Sequence, residues 1–134
     1  MRCAPPVNKP SVTERDTCAP WLAAEFALVA PSVGVIVCLG GFAWQAAWPM
    51  LSAAGFTLPR PQPKFGHGAE VRLAAPAGAA GASGQVILLG CYHPSQQNTF
   101  TGRVTPAMLD EVFGRARRAA GFGETAPDTT AAPQ

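Results

Sequence analysis

Residues 86–103 read VILLGCYHPSQQNTFTGR, and this stretch decides how the rest of the chain is interpreted. It opens with a short uninterrupted apolar run, which is typical of a strand buried on both faces of a sheet. Polar residues begin at Tyr92, where that strand should end. Open α/β sheets place their ligand sites at the carboxyl ends of their strands, so the pattern predicts a binding site in residues 92–103.

Further apolar patterns on either side predict the other elements of the fold. Residues 33–39 form a second short, β-branched run, and residues 69–73 alternate between apolar and polar side chains, so both are predicted strands. Predicted helices lie before, between and after these strands, over residues 11–30, from about residue 42 and from residue 105. Helices alternating with apolar strands predict an α/β fold with a mostly parallel sheet.

Local signals indicate where the first helix begins and where it is interrupted. Ser11 and Glu14 have the spacing of a capping box, in which each side chain accepts a bond from the other's backbone. Pro20 cannot lie deep in a regular helix without removing a hydrogen bond. The sequence therefore predicts either a new helix from about Thr17 or a break there.

The last helix is the most clearly patterned element. Thr105 is placed to cap it, with Pro106 at its first position. The spacing of Glu111 and Arg115 predicts an ion pair one turn apart. The buried face is predicted to consist of Met108, Leu109, Val112 and Phe113.

Composition excludes several classes of protein. Of the 134 residues, 48% are hydrophobic and 13% charged, which excludes a wholly disordered chain. The net charge of +2 is too small by itself to predict binding to nucleic acid or to an anionic membrane. Residues 122–134 are polar, without periodicity, and are expected to be a disordered tail behind a folded part over residues 1–121.

No membrane segment or leader is predicted. Residues 26–59 carry no charge and could span a bilayer by length, but repeated proline and glycine favour a buried strand followed by a helix. Residues 1–20 lack a basic segment followed by an apolar core, so they do not resemble a signal peptide. We expect a cytoplasmic protein with reduced thiols.

The four cysteines fall into two groups. Cys38 and Cys91 lie in or beside apolar strands and are expected to be small core residues. Cys3 and Cys18 lie in polar, proline-containing surroundings, where packing does not explain a thiol.

Residues 92–102 are predicted to form a polar loop. The segment 92–103 combines an imidazole, hydroxyls, three carboxamides and a guanidinium, with no carboxylate. Such a surface suits a phosphate backbone and the hydrogen-bonding edge of a base, although a solvated loop of no specific function fits the same composition. His67, between two glycines, is either an ordinary loop histidine or a ligand. Gly40 and Gly41 form either a simple turn or a pair of amides for an anion.

Three blocks of sequence resemble the iron–sulfur uracil-DNA glycosylases, and within them the family 5 group. The third block, YHPSQQNTFTG at residues 92–102, is highly specific, and the other two support it in the same order along the chain. The first block comprises residues 2–10, 18–22 and 35–44, the second residues 59–71, and the third residues 92–102 with 109–110. Together they cover about residues 2–118.

The resemblance implies a three-layer α/β/α fold with a mostly parallel central sheet, of which this chain would be the C-terminal half. The family's water-activating motif, its base-stacking aromatic residue and its uracil-reading asparagine would lie upstream, so the chain is expected to be a truncated product or one whose start is assigned too far downstream. Half a sheet should expose an unpaired strand edge and an uncovered apolar face. We therefore expect the chain alone to be inactive.

The resemblance also implies residue roles. His93 would donate a hydrogen bond to the uracil carbonyl oxygen as charge builds on the leaving base, and Asn98 would be a polar active-site residue. Cys3 and Cys18 would be two of the four ligands of a [4Fe–4S] cluster. Contacts to DNA would come from Pro94 and Ser95 at the phosphates, from Gln96 and Gln97 at the gap left by the flipped base, and from Thr99 and Arg103.

The implied function is hydrolysis of the N-glycosidic bond of uracil, or of a related deaminated base, in DNA. A monomer acting on DNA is expected, with no membrane partner. The alternative is a non-catalytic DNA-binding remnant or module, in which the polar segment holds DNA without chemistry.

Overall fold

The structure is a computed structural model that describes residues 10–78 and 84–122. Cys3 and residues 123–134 of the expected disordered tail lie outside the described residues. The elements in chain order are α1 (Val12–Val29), β1 (Val35–Leu39), α2 (Gly40–Ala53), β2 (Glu70–Ala74), β3 (Gln85–Cys91), α3 (Gln96–Phe100) and α4 (Pro106–Ala119).

The three strands form one sheet with the order β1-β3-β2. β1 and β3 are parallel, with Val35 opposite Ile87 and Leu39 opposite Cys91. β2 runs antiparallel to β3 on the other side. The predicted α/β class is confirmed. A mostly parallel sheet was predicted; of the two strand pairings in the described sheet, β1 with β3 is parallel and β2 with β3 is antiparallel. Because β1 and β3 run the same way, the segments that follow them emerge at one edge of the sheet.

Helices cover both faces of this sheet, which explains why β1 and residues 86–91 of β3 are continuously apolar. Alternate residues of β1 divide between two clusters: Ile36 and Cys38 pack with α1 and α2, whereas Val37 and Leu39 pack with α4. β3 divides in the same way. The larger cluster is centred on the buried aromatic and aliphatic side chains Phe26, Trp44, Trp48, Leu51, Leu73, Val86 and Leu88. The three-layer arrangement implied by the resemblance is therefore present in the described residues.

The first helix begins as predicted but is not interrupted. Ser11 donates its backbone N–H to the Glu14 carboxylate (2.7 Å), and Glu14 donates its own to Ser11 Oγ (3.2 Å), so the capping box is confirmed. α1 then continues through Pro20 to Val29, and the predicted break or new start near Thr17 is wrong. Proline removes one main-chain bond, and the remaining turns of this 18-residue helix bridge the gap.

The last helix keeps its predicted start but buries a different face. Thr105 Oγ1 accepts from the N–H of Met108 (3.3 Å), with Pro106 in the first turn. Val112 and Ala116 are buried, whereas Phe113 is 48% exposed, so its predicted place in the core is wrong. The buried face is rotated because contact with the sheet, rather than the size of the side chain, selects which residues are covered.

None of the helices within the described ranges is long and apolar enough to cross a membrane. The uncharged residues 26–59 instead form the end of α1, all of β1 and α2, as the proline and glycine pattern predicted.

Candidate functional site

The candidate site lies where β1 and β3 end side by side. Because Leu39 is opposite Cys91, Gly40 and His93 are brought together just beyond the sheet. Gly40 has a φ of +88°, and a Cβ built on it would lie 3.3 Å from the Cβ of His93. Glycine is needed here for both its conformation and its small size. Residues 92–103, which begin at this edge, are called the motif loop below.

The motif loop is more ordered than a simple polar loop. It contains the short helix α3, whose N-cap is Ser95: Ser95 Oγ accepts from the N–H of Asn98 (3.3 Å), and the Ser95 carbonyl accepts from Thr99 (2.9 Å). Serine caps helices well because its side chain replaces a missing main-chain acceptor. The segment was predicted as a loop because five helical residues are too few to show a period.

His93 and Asn98, the two predicted catalytic residues, are brought together. The Asn98 amide donates to the main-chain carbonyl of His93 (2.8 Å), which ties α3 back to the end of β3. The His93 side chain is exposed, and no residue of the described ranges hydrogen-bonds its imidazole. The structure thus holds the main chain of His93 and leaves its ring able to meet a ligand.

The six predicted DNA-contacting residues all follow His93 in sequence and differ in exposure. Pro94, Gln96, Gln97, Thr99 and Arg103 are exposed, and Ser95 is half-buried. Thr99 is partly committed to its own helix, since its hydroxyl lies 3.1 Å from the Ser95 carbonyl and 3.0 Å from that of Gln96. The Arg103 guanidinium lies over the Tyr92 ring, 5.2 Å from its centre, in a cation–π contact.

His67, whose role the sequence left open, contacts the motif loop directly. Its Nδ1 accepts the backbone N–H of Tyr92 (3.1 Å), and the two rings lie 5.1 Å apart. Because Nδ1 accepts, the neutral ring carries its proton on Nε2, which is buried without a partner in the described part of the chain. His67 therefore fixes the residue that precedes His93.

The loop that carries His67 is locked onto the end of β3. Gly68 donates to the Gly90 carbonyl and Gly90 donates to that of Ala69, both at 2.8 Å. A Cβ on Gly90 would collide with the carbonyl oxygen of Gly66, so only glycine permits this approach. Phe65 completes the contact, with its ring 6.1 Å from that of Tyr92.

Arg115 fastens the same loop from the opposite layer. It donates to the Gly68 carbonyl (3.0 Å) and to the Glu70 carboxylate (2.7 Å). Arg115 was predicted to pair with Glu111, and this prediction is wrong. Arg115 bonds Glu70 instead, because Glu70 lies against it across the packed layers, whereas Glu111 is exposed to solvent one turn away. The hydrogen bond from Arg115, assisted by Arg72, lowers the pKa of Glu70 from its ordinary value. Sequence spacing showed only local pairs and so missed this one.

The thiols do not form a metal site within the described residues. Cys18 is half-buried on α1, while Cys38 and Cys91 lie in the core as predicted. Burial raises the pKa of Cys38 to about 11, which disfavours the thiolate that a metal requires. Residues 10–78 and 84–122 contain no group of three or more His, Cys, Asp or Glu side chains that could hold a metal ion. This donor set does not by itself fit a four-thiolate cluster.

Comparison with known proteins identifies the family to which this chain belongs. The family model of the uracil DNA glycosylase superfamily matches residues 1–117. The chain is 52% identical over 122 residues to the type-5 uracil-DNA glycosylase of Mycobacterium tuberculosis, covering 91% of this chain and 41% of that protein. It is 42% identical to that of Thermus thermophilus and 37% identical to that of Pyrobaculum aerophilum, covering 91% and 90% of this chain, and 49% and 45% of those proteins.

This chain thus spans less than half the length of each of these three relatives. The matched region includes the whole described sheet, the loop of His67 and the motif loop. The chain belongs to the uracil DNA glycosylase superfamily.

Proposed function

We propose that this chain provides the motif-loop half of a DNA repair enzyme that hydrolyses the N-glycosidic bond of uracil, or of a related deaminated base, in DNA. Membership of the superfamily and the names of the relatives support the reaction class. The observation that carries the proposal is the exposed His93 imidazole beside Gly40, at the shared end of two parallel strands.

His93 stabilises the departing base. As the bond between sugar and base breaks, negative charge develops on a uracil carbonyl oxygen, and the imidazole N–H donates a hydrogen bond to that oxygen. A donor fixed in advance is effective because little reorganisation is needed at the moment of reaction. The bond from Asn98 to the His93 carbonyl and the bond from Tyr92 to His67 provide that fixation on either side.

The rest of the motif loop holds the DNA around a flipped nucleotide. Ser95 Oγ accepts the cap bond of α3, and its hydroxyl proton remains available to donate to a phosphate. Pro94 contacts the backbone next to it, and exposed Gln96 and Gln97 fill the gap that the extruded base leaves. Thr99 and Arg103 provide further contacts to the strand.

The iron–sulfur cluster implied by the resemblance depends on residues beyond the described ones. In this proposal Cys3 and Cys18 are two of four ligands of a [4Fe–4S] cluster, and the other two come from the part of the enzyme that this chain does not span. No step of the reaction passes through the cluster.

The remaining half of the enzyme activates the attacking water and stacks on the base. We therefore propose that the folded part, residues 1–121, is inactive by itself and that the complete enzyme is a cytoplasmic monomer. The second candidate function, a DNA-binding module without chemistry, is favoured by the absence of any carboxylate in the motif loop.

A chimera tests the proposed function. The matched region of the M. tuberculosis relative is replaced by residues 1–121 of this chain, and uracil release from a duplex with one U·G pair is measured. We expect release by the chimera and none by this chain alone. A folded chimera that binds the duplex without releasing uracil would support the binding module instead, and release by this chain alone would contradict the half-enzyme proposal.

A further inference from the structure

Residues 59–65, which read PRPQPKF, carry two exposed cations outside the motif loop. Arg60 and Lys64 are both exposed. Neither forms an ion pair with another residue of the described ranges. The positive charges of both side chains are therefore available to a ligand. Residues 59–65 are called the basic segment below.

The basic segment is fastened beside the motif loop. The Trp44 indole N–H donates to the Pro63 carbonyl (3.0 Å). The Phe65 ring lies 6.0 Å from the Trp44 ring and 6.1 Å from the Tyr92 ring. Lys64 lies between these two anchored residues, so its backbone is held close to the edge at which β1 and β3 end.

Tyr92 connects the basic segment to the cation of the motif loop. Its ring contacts Phe65 and also carries the Arg103 guanidinium, 5.2 Å from the ring centre. Arg60 and Lys64 thus belong to a segment that packs directly against the residue under Arg103. The three cations come from two segments that meet at one edge of the sheet.

Acidic residues are scarce in this part of the sequence. Residues 26–69 and 71–109 contain no Asp or Glu. Glu70, which lies between these ranges, is bonded to Arg72 and Arg115. Cations without neighbouring carboxylates suit a polyanion, and duplex DNA carries one negative charge for about each 1.7 Å of its axis.

We propose that the basic segment is a second DNA-binding element, in which Arg60 and Lys64 contact phosphates near the flipped nucleotide. The proposal rests on the proposed function, because it requires the neighbouring motif loop to face DNA. Contacts to phosphates position a protein on DNA but carry no information about the bases. The basic segment should therefore strengthen binding equally with and without uracil.

The salt dependence of binding tests this role. The full chain is added to a fluorescently labelled duplex with one U·G pair at several salt concentrations, and fluorescence anisotropy gives the affinity. Arg60→Ala and Lys64→Ala should each reduce the slope of log affinity against log salt by about one, since each lost phosphate contact releases about one counterion fewer. Together they should weaken binding about tenfold or more at low salt. Because both side chains are exposed, circular dichroism should show an unchanged fold.

Lys64→Arg and Arg118→Ala are the matched controls. Lys64→Arg keeps the charge and should keep the slope. Ala119 lines a cavity together with Gly34 and Gln85, at the opposite edge of the sheet. Arg118 is the exposed neighbour of Ala119, so removing its charge should leave the slope unchanged.

Three results would overturn the proposal. They are no binding of the chain to the duplex at low salt, slopes unchanged by Arg60→Ala and Lys64→Ala, or an equal loss from Arg118→Ala. The same loss is expected on a duplex with T in place of U, and a loss confined to the uracil duplex would contradict a phosphate contact. The chimera tests the proposed function separately: failure to release uracil would contradict that function and leave the salt dependence of the basic segment as it is.

Discussion

The two sides of β1 differ sharply. At its carboxyl end the chain is closely fitted: a Cβ on Gly40 would lie 3.3 Å from the Cβ of His93, and the loop around His67 is bonded to Gly90 and Tyr92. Along its outer edge and on α1, apolar side chains such as Leu28 lie exposed. The motif loop is thus held by contacts among the described residues, whereas the outer edge of β1 has no strand partner among them.

The largest expected effect on stability comes from substitution of Gly90, which lies in the closely fitted region at the carboxyl end of β3. Gly90→Ala forces a Cβ against the Gly66 carbonyl, which must move and give up the bonds that hold the His67 loop. Overpacking of this kind against rigid backbone should lower the free energy of unfolding by about 2–3 kcal/mol, as measured by urea denaturation.

Gly34→Ala provides the matched control. A Cβ on Gly34 meets nothing within 4 Å, and its φ is not positive. We expect stability unchanged or raised by up to about 1 kcal/mol, because alanine narrows the unfolded ensemble. Equal losses from the two substitutions would show that the approach of Gly66 to Gly90 does not stabilise the protein.

The bond between Tyr92 and His67 is the next contact to break. His67→Ala leaves the half-buried Tyr92 N–H without its acceptor and should cost about 1–3 kcal/mol. His67→Asn returns an oxygen near the position of Nδ1 and should recover part of the loss, whereas His67→Gln should not. Denaturation measures the loss and the recovery of stability, and the hydrogen-exchange rate of the Tyr92 amide reports on the bond itself. Equal stability of His67→Asn and His67→Gln would contradict a role for Nδ1.

Substitution of Arg115 on α4 tests how much its bonds to Gly68 and Glu70 stabilise the fitted region. Arg115→Ala removes the bonds to Gly68 and Glu70 and should cost about 1 kcal/mol, since its partners are partly solvated. Arg118→Ala, exposed on the same helix, should be nearly neutral.

The cost of Arg115→Ala should depend on pH. The folded pKa of Glu70 lies below its ordinary value of 4.5, so the stabilisation from the ion pair is present above that value. It is lost as the pH falls through the folded pKa, and the difference between wild type and variant should shrink there. A difference independent of pH between 7 and about 3 would show that the Gly68 bond alone matters.

The smallest effect concerns the thiols and leaves the fold intact. Burial raises the pKa of both Cys38 and Cys91, so both should react with iodoacetamide much more slowly than half-buried Cys18. Mass spectrometry of partly alkylated protein measures the order. Early labelling of Cys38 would show that the layer between α2 and the sheet opens more readily than the packing indicates.

Much of the fold was predictable because it depends on local patterns. The capping box of Ser11, the apolar runs of β1 and β3 and the cap of α4 at Thr105 are all encoded over a few neighbouring residues. The position of the polar segment at the carboxyl end of β3 was predictable for the same reason, since it directly follows a buried apolar run.

The contacts that hold the site were not predictable, because they join residues distant in sequence. Arg115 reaches Glu70 across 45 positions, and Tyr92 reaches His67 across 25. Glycines 66 and 68 signalled a close approach of backbone but not its partner. The continuation of α1 through Pro20 was not predicted. Proline removes one main-chain hydrogen bond, and residue spacing does not show that the other bonds of this 18-residue helix outweigh that loss.

The central claim is that His93, held at the fitted end of β1 and β3, stabilises the departing base. Single-turnover uracil release by the chimera, compared between His93 and His93→Ala, tests it most directly. We expect the substitution to reduce the rate by about 100-fold or more while the affinity for the uracil duplex changes little, as for loss of one donor to a developing oxyanion. A rate within about twofold of the unsubstituted chimera would contradict the account.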